Sequence, residues 1–411
     1  MIHIYHTDEK KTVTVIARIK GDLAKETVTS RTLLGNMMIS ATQTYPTSKL
    51  LIRRLESLYG GHLSCYTESK GKAHIISFVI SFIDDRLLDI DESLFESQLK
   101  ILNEILYHPY IINESFDETI LKIRKKELRE RLLSSYDDSY AYAGDRLYET
   151  MGLEYVLGVF SSGYIEDIDM INGNDLYEMY KSIIKEDNLE IDIIGYMNEE
   201  RRTLINQYLP VNESIHTDST AYVFDHPKRS LIEFIERKDV TQGIVFMGYR
   251  LNTCMSHNDH EAMCIMNALI GGDSQSLLFK KIREKEGLCY SIGSTYDSFN
   301  GIMTIDVGID IENYELTVEL IKKEIERLQE GIIDIDHFYR VKSVYIASIE
   351  QEMDDPYYLS RFNYNRYLAY KDQSIEAYIK RLRQVSIEDV IRCANEMSMD
   401  TIYFLTGESL L

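Results

Sequence analysis

The sequence predicts an α+β protein made of two homologous halves, each a β-sheet with helices mainly on one face. Two observations lead to this prediction: the same order of elements is predicted twice, and whole phrases recur roughly 200 residues apart. Each half begins with an alternating strand, at Thr12–Ile19 or at Gly243–Arg250. Two helices, a two-stranded segment and further helices follow before a last apolar strand. Sheets with helices segregated to one side define α+β architecture.

Three pairs of segments carry the repeat. LLIRRLESLYGGHLSCYT corresponds to LLFKKIREKEGLCYSIGST, YDDSYAYAG to MDDPYYLSR, and LEIDIIG to TIYFLTG. Matches at a nearly constant offset indicate a duplicated domain. We therefore expect an N-terminal domain at 1–208 and a C-terminal domain at 230–411, joined by a polar linker at 209–229 with a proline near each end. The phrase AYVF within the linker is a candidate edge strand.

The helices follow from periodicity and end signals. In the second half one helix presents a buried face at spacings of three and four, and Gly331 follows it as a C-terminal stop. That face consists of Thr317, Ile321, Ile325 and Leu328. The two helices after the first strand of each half are predicted over 27–41 and 48–59, and over 257–270 and 274–285.

Composition limits the classes of partner. The 411-residue chain has 67 acidic and 45 basic residues, a formal net charge of −22 at pH 7. Such a surface repels phosphate backbones, so we expect no nucleic-acid partner. The chain start has no apolar core typical of a secretory signal, and the apolar runs are too short for membrane insertion. Five scattered cysteines fit free thiols, which predicts a cytoplasmic protein.

Two phrases resemble those of a known family. LESLYGGHLSCYT resembles the glycine turn and strand that follow the zinc helix in the insulinase/pitrilysin superfamily, which includes mitochondrial processing peptidase. KIREKEGLCYSIGSTYDSFNGI is similar to the most diagnostic stretch of that family's C-terminal domain. The resemblance extends from Thr12 to Gly407, and it implies that the two halves form a half-clamshell.

The metal-binding motif of the family is degenerate in this chain. Active members carry His-x-x-Glu-His on the first helix, where two histidines bind zinc and the glutamate is the general base. The corresponding positions here include Thr32, Gly35 and Asn36, none of which supplies an imidazole or a carboxylate. Because zinc takes about four donors from His, Cys, Asp, Glu or water, the resemblance implies a chain with no catalytic residues and no metal. We expect a core helix in which Gly35 allows close packing.

A third zinc ligand in the family is a glutamate from a helix further along. The acidic helix ESFDETILKIRKKELRERL offers three glutamates, and each also fits a solvated helix face. They are Glu118, Glu127 and Glu130.

A substrate-binding pair is kept in the second half. Arg283 and Tyr290 match the family's arginine–tyrosine pair, with Gly287 at the turn between them. The resemblance implies that the pair reaches towards the scissile peptide, and a guanidinium and a phenol suit a peptide carbonyl or a terminal carboxylate. The alternative is a structural ion pair of Arg283 with Glu284 or Glu286 and a packed tyrosine ring.

The glycine turn in the first half adds a second candidate surface. Gly60, Gly61 and the strand after them align with the edge that accepts substrate by strand addition in the family. This alignment makes Gly61, Ser64 and Cys65 candidate substrate-binding residues. The family often has Asn-Ala where this chain has Ser64 and Cys65.

One group of residues in the second half has the composition of a metal site. SHNDHEAM holds His257, His260 and Glu261, and a spacing of three can place two histidines on one helix face. No third ligand is identifiable, so the segment is interpreted as a helix start. The sequence has no G-x-S-x-G, no Walker loop and no G-x-G-x-x-G after a strand, and FSSG (160–163) is therefore no nucleophile elbow.

The first functional hypothesis is a non-catalytic subunit of a heterodimeric insulinase-like zinc peptidase that processes peptides or small unfolded polypeptides. The resemblance implies that an active homologue supplies the zinc, while this chain supplies substrate binding and chamber wall. Similar bacterial pairs are linked to bacteriocin maturation or to elongation factor P modification. The alternatives are a peptide-binding or scaffold protein without proteolysis, and a self-sufficient metallopeptidase that uses His257 and His260.

Overall fold

The computed structural model describes residues 1–153, 155–210, 218–224 and 230–407. They form two compact units. The first unit contains residues 1–134 and 159–210, and the second contains residues 135–153, 155–158, 218–224 and 230–407.

The strands, in chain order, are β1 (Ile2–His6), β2 (Thr12–Asp22), β3 (His62–Lys70), β4 (Ala73–Ile83), β5 (Ile111–Ile112), β6 (Ser115–Phe116), β7 (Asn188–Gly195), β8 (Ile232–Arg237), β9 (Gly243–Arg250), β10 (Cys289–Asp297), β11 (Ile302–Ile309) and β12 (Ser398–Thr406).

The α-helices are α1 (Lys25–Met38), α2 (Ser48–Ser57), α3 (Leu94–Tyr107), α4 (Glu118–Asp137), α5 (Ser139–Gly152), α6 (Gly173–Glu186), α7 (Glu199–Tyr208), α8 (His260–Asn267), α9 (Tyr314–Gln329), α10 (Ile335–Glu352), α11 (Pro356–Leu368), α12 (Ile375–Gln384) and α13 (Ile387–Asn395). Short 3-10 turns lie at Asp85–Leu87, Val156–Gly158, Ile165–Met170 and Ile311–Asn313, and π-helical segments lie at Ala268–Gly272 and Phe279–Lys285.

The sheet of the first unit has the order β1-β7-β2-β4-β3, so β3 lies at one edge. Strands β1 and β7 are parallel, and the other neighbours are antiparallel. Helix α1 packs on β3 and β4, and α3 also packs on β4. Leu33 and Leu34 of α1 are fully buried with Phe78 of β4 and Phe95 of α3. A layer of helices therefore covers the sheet beside β3.

The sheet of the second unit repeats the first. Its order is β8-β12-β9-β11-β10, and β8 is parallel to β12 just as β1 is to β7. The duplicated α+β architecture predicted from the sequence is confirmed by this matching strand order. Here both faces of the central strands are covered, because Val245 and Met247 of β9 contact the main helical layer while Ile244 and Phe246 contact α5.

The position of α5 differs from the expected domain boundaries. We expected residues 1–208 to form one domain, but the structure places residues 135–153 and 155–158 in the second unit, where α5 packs on β9 and β12. The physical reason is close packing, since a Cβ on Gly248 of β9 would overlap the sulfur of Met151 in α5.

The expected linker also differs in part. Residues 211–217 and 225–229 lie outside the described residues. Between these segments, Thr220 donates its backbone N–H to Leu368 and Tyr222 donates to Phe299, both within the second unit. The candidate edge strand AYVF (221–224) is not a strand in the structure, although Ala221 and Phe224 are buried.

Several element predictions are confirmed closely. Strand β9 has the predicted bounds, and the predicted apolar face of α9, residues 317, 321, 325 and 328, is buried. Gly331 follows α9 with a φ of 75°, as its role as a stop requires. The helices after β9 are less regular than predicted, because each passes into a π-helical segment.

Candidate functional site

Helix α1 carries the positions that correspond to the lost metal motif. Thr32 and Gly35 are buried, and Asn36 is partly exposed. The hydroxyl of Thr32 donates to the carbonyl oxygen of Ser161 at 3.2 Å and lies 3.3 Å from the hydroxyl of Thr67 on β3. The side chain at the first motif position is therefore part of an internal hydrogen-bond network.

The carbonyl oxygen of Ser161 is the centre of that network. It accepts hydrogen bonds from Thr32, from Thr67 at 3.1 Å and from Nε2 of His74 on β4 at 2.9 Å. We call these four residues the Ser161 cluster. The segment FSSG thus supplies the acceptor for three polar side chains on α1, β3 and β4.

The protonation of His74 is fixed by its neighbours. Nε of Arg31 donates to Nδ1 of His74 at 2.9 Å, so Nε2 must carry the proton that is donated to Ser161. Burial, together with the positive charge of Arg31, lowers the pKa of His74 to about 4. Arg31 also contacts Asp187 at 2.7 Å, which balances its charge. His74 is therefore a neutral structural residue at physiological pH.

Gly35 lies against β3 and β4 as the sequence predicts for a close-packed position. A Cβ added to Gly35 would lie 2.7 Å from Sγ of Cys65 and 2.9 Å from Cγ2 of Ile76. No glutamate side chain fits there without displacement of the sheet. Burial raises the pKa of the Cys65 thiol to about 12, so the thiol stays protonated.

The three glutamates of α4 do not complete a metal site. All three are exposed and already have other partners. Glu118 accepts a hydrogen bond from the backbone N–H of Gly173 at 2.8 Å. Glu127 forms a salt bridge with Arg124 at 2.6 Å, and Glu130 forms one with Lys126 at 3.7 Å. Residues of α1 and α4 therefore do not fit a zinc ion.

The cluster at α8 is dispersed in the same way. His257 is exposed and bonds the backbone carbonyl of Asn252, whereas His260 is buried and burial lowers its pKa. Glu261 is buried and lies 3.3 and 3.6 Å from two cations, which are Lys371 and Arg381. Within the described ranges, no group of three His, Cys, Asp or Glu side chains is placed to hold a metal ion.

Arg283 lies on the π-helical segment and is exposed. Its guanidinium carbon lies 4.8 Å from the ring centroid of Phe279, and it makes no salt bridge with any described residue. The alternative, an ion pair of Arg283 with Glu284 or Glu286, is not formed. Glu286 instead forms a salt bridge with Lys281 at 2.8 Å. The guanidinium is thus held on an aromatic face with its donors free for another group.

Tyr290 follows in β10, an edge strand, with 60% of its surface exposed. Its hydroxyl donates to Asp310 at 2.7 Å, and this hydrogen bond raises the pKa of Tyr290. Gly287 lies between Arg283 and Tyr290 with a φ of 65°, a left-handed conformation that glycine adopts without strain. Both predicted residues therefore face solvent in the second unit.

Strand β3 is an edge strand, and its use for strand addition stays a prediction. Along the described chain it pairs only with β4. The side chain of Cys65 faces Gly35 and is therefore not available to a peptide. A Cβ on Gly61 would meet the amide at the end of the Gln98 side chain, and Ser64 is half-buried.

Some features beside α1 were not predicted. No role was predicted for His74, for Arg31 or for the carbonyl of Ser161. The usable signal was the placement of Arg31 inside an apolar helix, because a buried arginine requires acceptors. The position of the Ser161 carbonyl is a property of tertiary structure that local pattern does not encode.

Fold and site together define a class: a duplicated α+β protein whose first helix is held by packing and hydrogen bonds at the positions where the resemblance predicts a degenerate zinc motif. A family model described as the peptidase M16 inactive domain matches residues 171–345. The chain is 30% identical over 413 residues to Probable inactive metalloprotease YmfF of Bacillus subtilis, over 98% of this chain and 95% of that protein. The chain belongs to the peptidase M16 family and is an inactive, metalloprotease-like member.

Two solved structures have a similar fold. A conserved protein from Enterococcus faecalis is 26% identical with a TM-score of 0.89, and the match covers 100% of this chain and 97% of that one. A protease from Helicobacter pylori shares the fold at 15% identity and a TM-score of 0.81, over 98% of this chain and 96% of that one. Across the ranges that the structure describes, no helix has both the length and the apolar character that a bilayer span requires.

Proposed function

We propose that this protein is the non-catalytic subunit of a cytoplasmic, heterodimeric M16 peptidase. In this assembly an active homologue with an intact His-x-x-Glu-His motif supplies the zinc and the general base. This chain binds part of the peptide substrate and forms part of the chamber wall. The five cysteines are all free thiols, which suits a reducing compartment.

The observation that carries the proposal is the state of Arg283. Glu284 and Glu286 lie close to it in the sequence, yet Arg283 remains exposed and without a salt bridge to any described residue. A structural arginine on an acidic protein normally finds a carboxylate, so this one is suited to an incoming peptide carbonyl or terminal carboxylate.

Tyr290 supports the same role. Its hydroxyl is exposed and already polarised by Asp310. When a peptide carbonyl approaches, the phenol can transfer its hydrogen bond from Asp310 to the carbonyl oxygen, because both acceptors compete for one proton. The main chain of β3 from Gly61 to Cys65 offers a second contact by strand addition.

The test combines this chain with an active homologue and measures cleavage of an internally quenched peptide. We expect the mixture to cleave the peptide and this chain alone to leave it intact. Arg283→Ala should lower kcat/KM by about 100-fold and Tyr290→Phe by about 10-fold, since each removes a donor to a developing oxyanion. Arg340→Ala is the matched control, because Arg340 is an exposed arginine of the same unit whose neighbour at 3.9 Å is Asp334.

Sedimentation of each mixture separates a loss of assembly from a loss of substrate binding. Full activity of both variants in an assembled mixture would reject the proposed role of the pair. A mixture that assembles and binds peptide but never cleaves it would favour the alternative of a peptide-binding or scaffold protein.

A further inference from the structure

The second unit contains a cavity of about 260 Å³ that the proposed peptidase role does not use. Side chains from α8, β10, α10, α11 and α12 line it. Its wall is rich in rings, and those that matter here are His260, Tyr296, Tyr345, Phe362 and Tyr378. A ring-lined space of this size suits one small organic molecule.

Arg366 of α11 supplies the positive charge of the cavity wall. Only 5% of Arg366 is exposed, and its Nη1 is buried with no hydrogen-bond partner. Its guanidinium carbon lies 4.4 Å from the ring centroid of Tyr378 and 4.9 Å from that of Phe362. Among the described residues it makes no salt bridge. The cation–π contacts offset only part of the free-energy cost of burying this charge. A bound anion would offset the rest.

The nearby carboxylate does not serve as that anion. Glu261 on α8 contacts Lys371 at 3.3 Å and Arg381 at 3.6 Å, and it accepts a hydrogen bond from Gln373 at 3.1 Å. Glu261 is therefore shared between two other cations, and the surroundings of Arg366 keep a net positive charge. His260 adds none at neutral pH, because burial and the adjacent cations hold its pKa well below the usual value.

The hydroxyl groups on the wall are largely committed to the protein. The hydroxyl of Tyr296 donates to the carbonyl of Thr253 at 3.3 Å, and that of Tyr378 lies 3.6 Å from Sγ of Cys264. The walls thus offer aromatic surface around one charged group. This arrangement favours a ligand with an apolar body and a single negative charge.

We propose that the cavity binds the carboxylate of a small aromatic or aliphatic acid, with the carboxylate on Arg366 and the body between the rings. A guanidinium binds a carboxylate through two parallel hydrogen bonds, and one guanidinium matches a monoanion better than a phosphate dianion. Ser298, Tyr358 and Asn365 on the cavity wall are partly exposed, which gives the ligand a path from solvent. The carboxylate belongs either to a free acid or to the C-terminus of a peptide.

The test is calorimetric titration of the full-length protein with N-acetyl-phenylalanine and with its neutral amide. We expect the acid to bind at least about tenfold more tightly than the amide, since only the acid pairs with the guanidinium. Arg366→Gln should weaken binding of the acid by about tenfold or more. Arg361→Gln is the matched control, because Arg361 is an exposed arginine on the same helix outside the cavity lining, and its affinity should stay within about twofold.

A second variant keeps the test valid if Arg366→Gln does not fold. Ser298→Leu narrows the cavity and leaves Arg366 in place, so it should also weaken binding while circular dichroism stays native. Equal binding of acid and amide, absence of binding at millimolar acid, or tighter binding of inorganic phosphate than of the acid would each overturn the proposal. Peptides that end in phenylalanine, with a free or an amidated C-terminus, identify the source of the carboxylate. If the peptide with a free C-terminus binds as tightly as N-acetyl-phenylalanine, the site binds peptide termini. If only N-acetyl-phenylalanine binds, the site binds small acids.

Discussion

Substitution of Gly35 by alanine tests whether α1 is packed closely against β3 and β4. In an exposed helix interior, Gly→Ala stabilises a protein by about 1 kcal/mol because alanine loses less conformational entropy. At Gly35 the added Cβ would lie 2.7 Å from Sγ of Cys65 and 2.9 Å from the branched Ile76. Overpacking of this kind costs about 1–3 kcal/mol. We therefore expect Gly35→Ala to lower the free energy of unfolding by about 1 kcal/mol.

The assay is urea denaturation of the full chain, followed by far-UV circular dichroism because the protein has no tryptophan. A double-mutant cycle with Cys65→Ala isolates the contact. Cys65→Ala alone should destabilise by about 1 kcal/mol through lost packing, whereas Gly35→Ala in that background should be nearly neutral, because the sulfur is gone and only the contact with Ile76 remains. A stabilising effect of Gly35→Ala in the wild-type background would refute the packing argument.

Three further predictions concern α1 and the residues packed against it. The pKa of His74 is about 6.5 in the unfolded chain and about 4 in the folded chain, so only the unfolded chain takes up the proton between these values. The free energy of unfolding should therefore fall by up to about 3 kcal/mol as the pH drops from about 6.5 to about 4. A His74→Asn variant should show a flatter dependence of its thermal unfolding midpoint on pH. The triple variant Thr32→His, Gly35→Glu, Asn36→His should hold less than one zinc per chain by elemental analysis, because the introduced glutamate meets the sheet; stoichiometric zinc in a folded variant would contradict this. Arg31→Met leaves the partly buried Asp187 without its cation and should lower the free energy of unfolding by about 2–3 kcal/mol in urea denaturation, and a loss below about 1 kcal/mol would show that the ion pair is dispensable.

Much of the architecture could be predicted from local pattern. Strand β9 has the predicted bounds, and α9 shows its predicted buried face. The repeated phrases LEIDIIG and TIYFLTG correspond to β7 and β12, which occupy the same place in the two sheets. These features depend on periodicity and on turn residues, which are local. The absence of metal ligands at Thr32, Gly35 and Asn36 was equally readable from the sequence.

The parts that were not predicted depend on tertiary contacts. The phrase YDDSYAYAG has a counterpart in the second half, and that symmetry suggested that α5 stays with the first sheet. Its packing on β9 is decided by which surfaces fit, and the only local hint is Gly248 within an otherwise bulky strand. The network around the Ser161 carbonyl was missed for the same reason, since a backbone acceptor carries no sequence signature.

The location of α5 has a consequence for biosynthesis and for dissection of the chain. A ribosome delivers residues 139–152 long before it delivers β12 at 398–406, against which the helix finally packs. Until then the apolar side of α5, which includes Leu147 and Met151, has no native surface to cover it, so closure of this long-range contact is a late and slow step. A truncated product that stops at residue 208 would keep the apolar side of α5 exposed and should aggregate. A fragment that lacks both α5 and the second half should stay monomeric in solution.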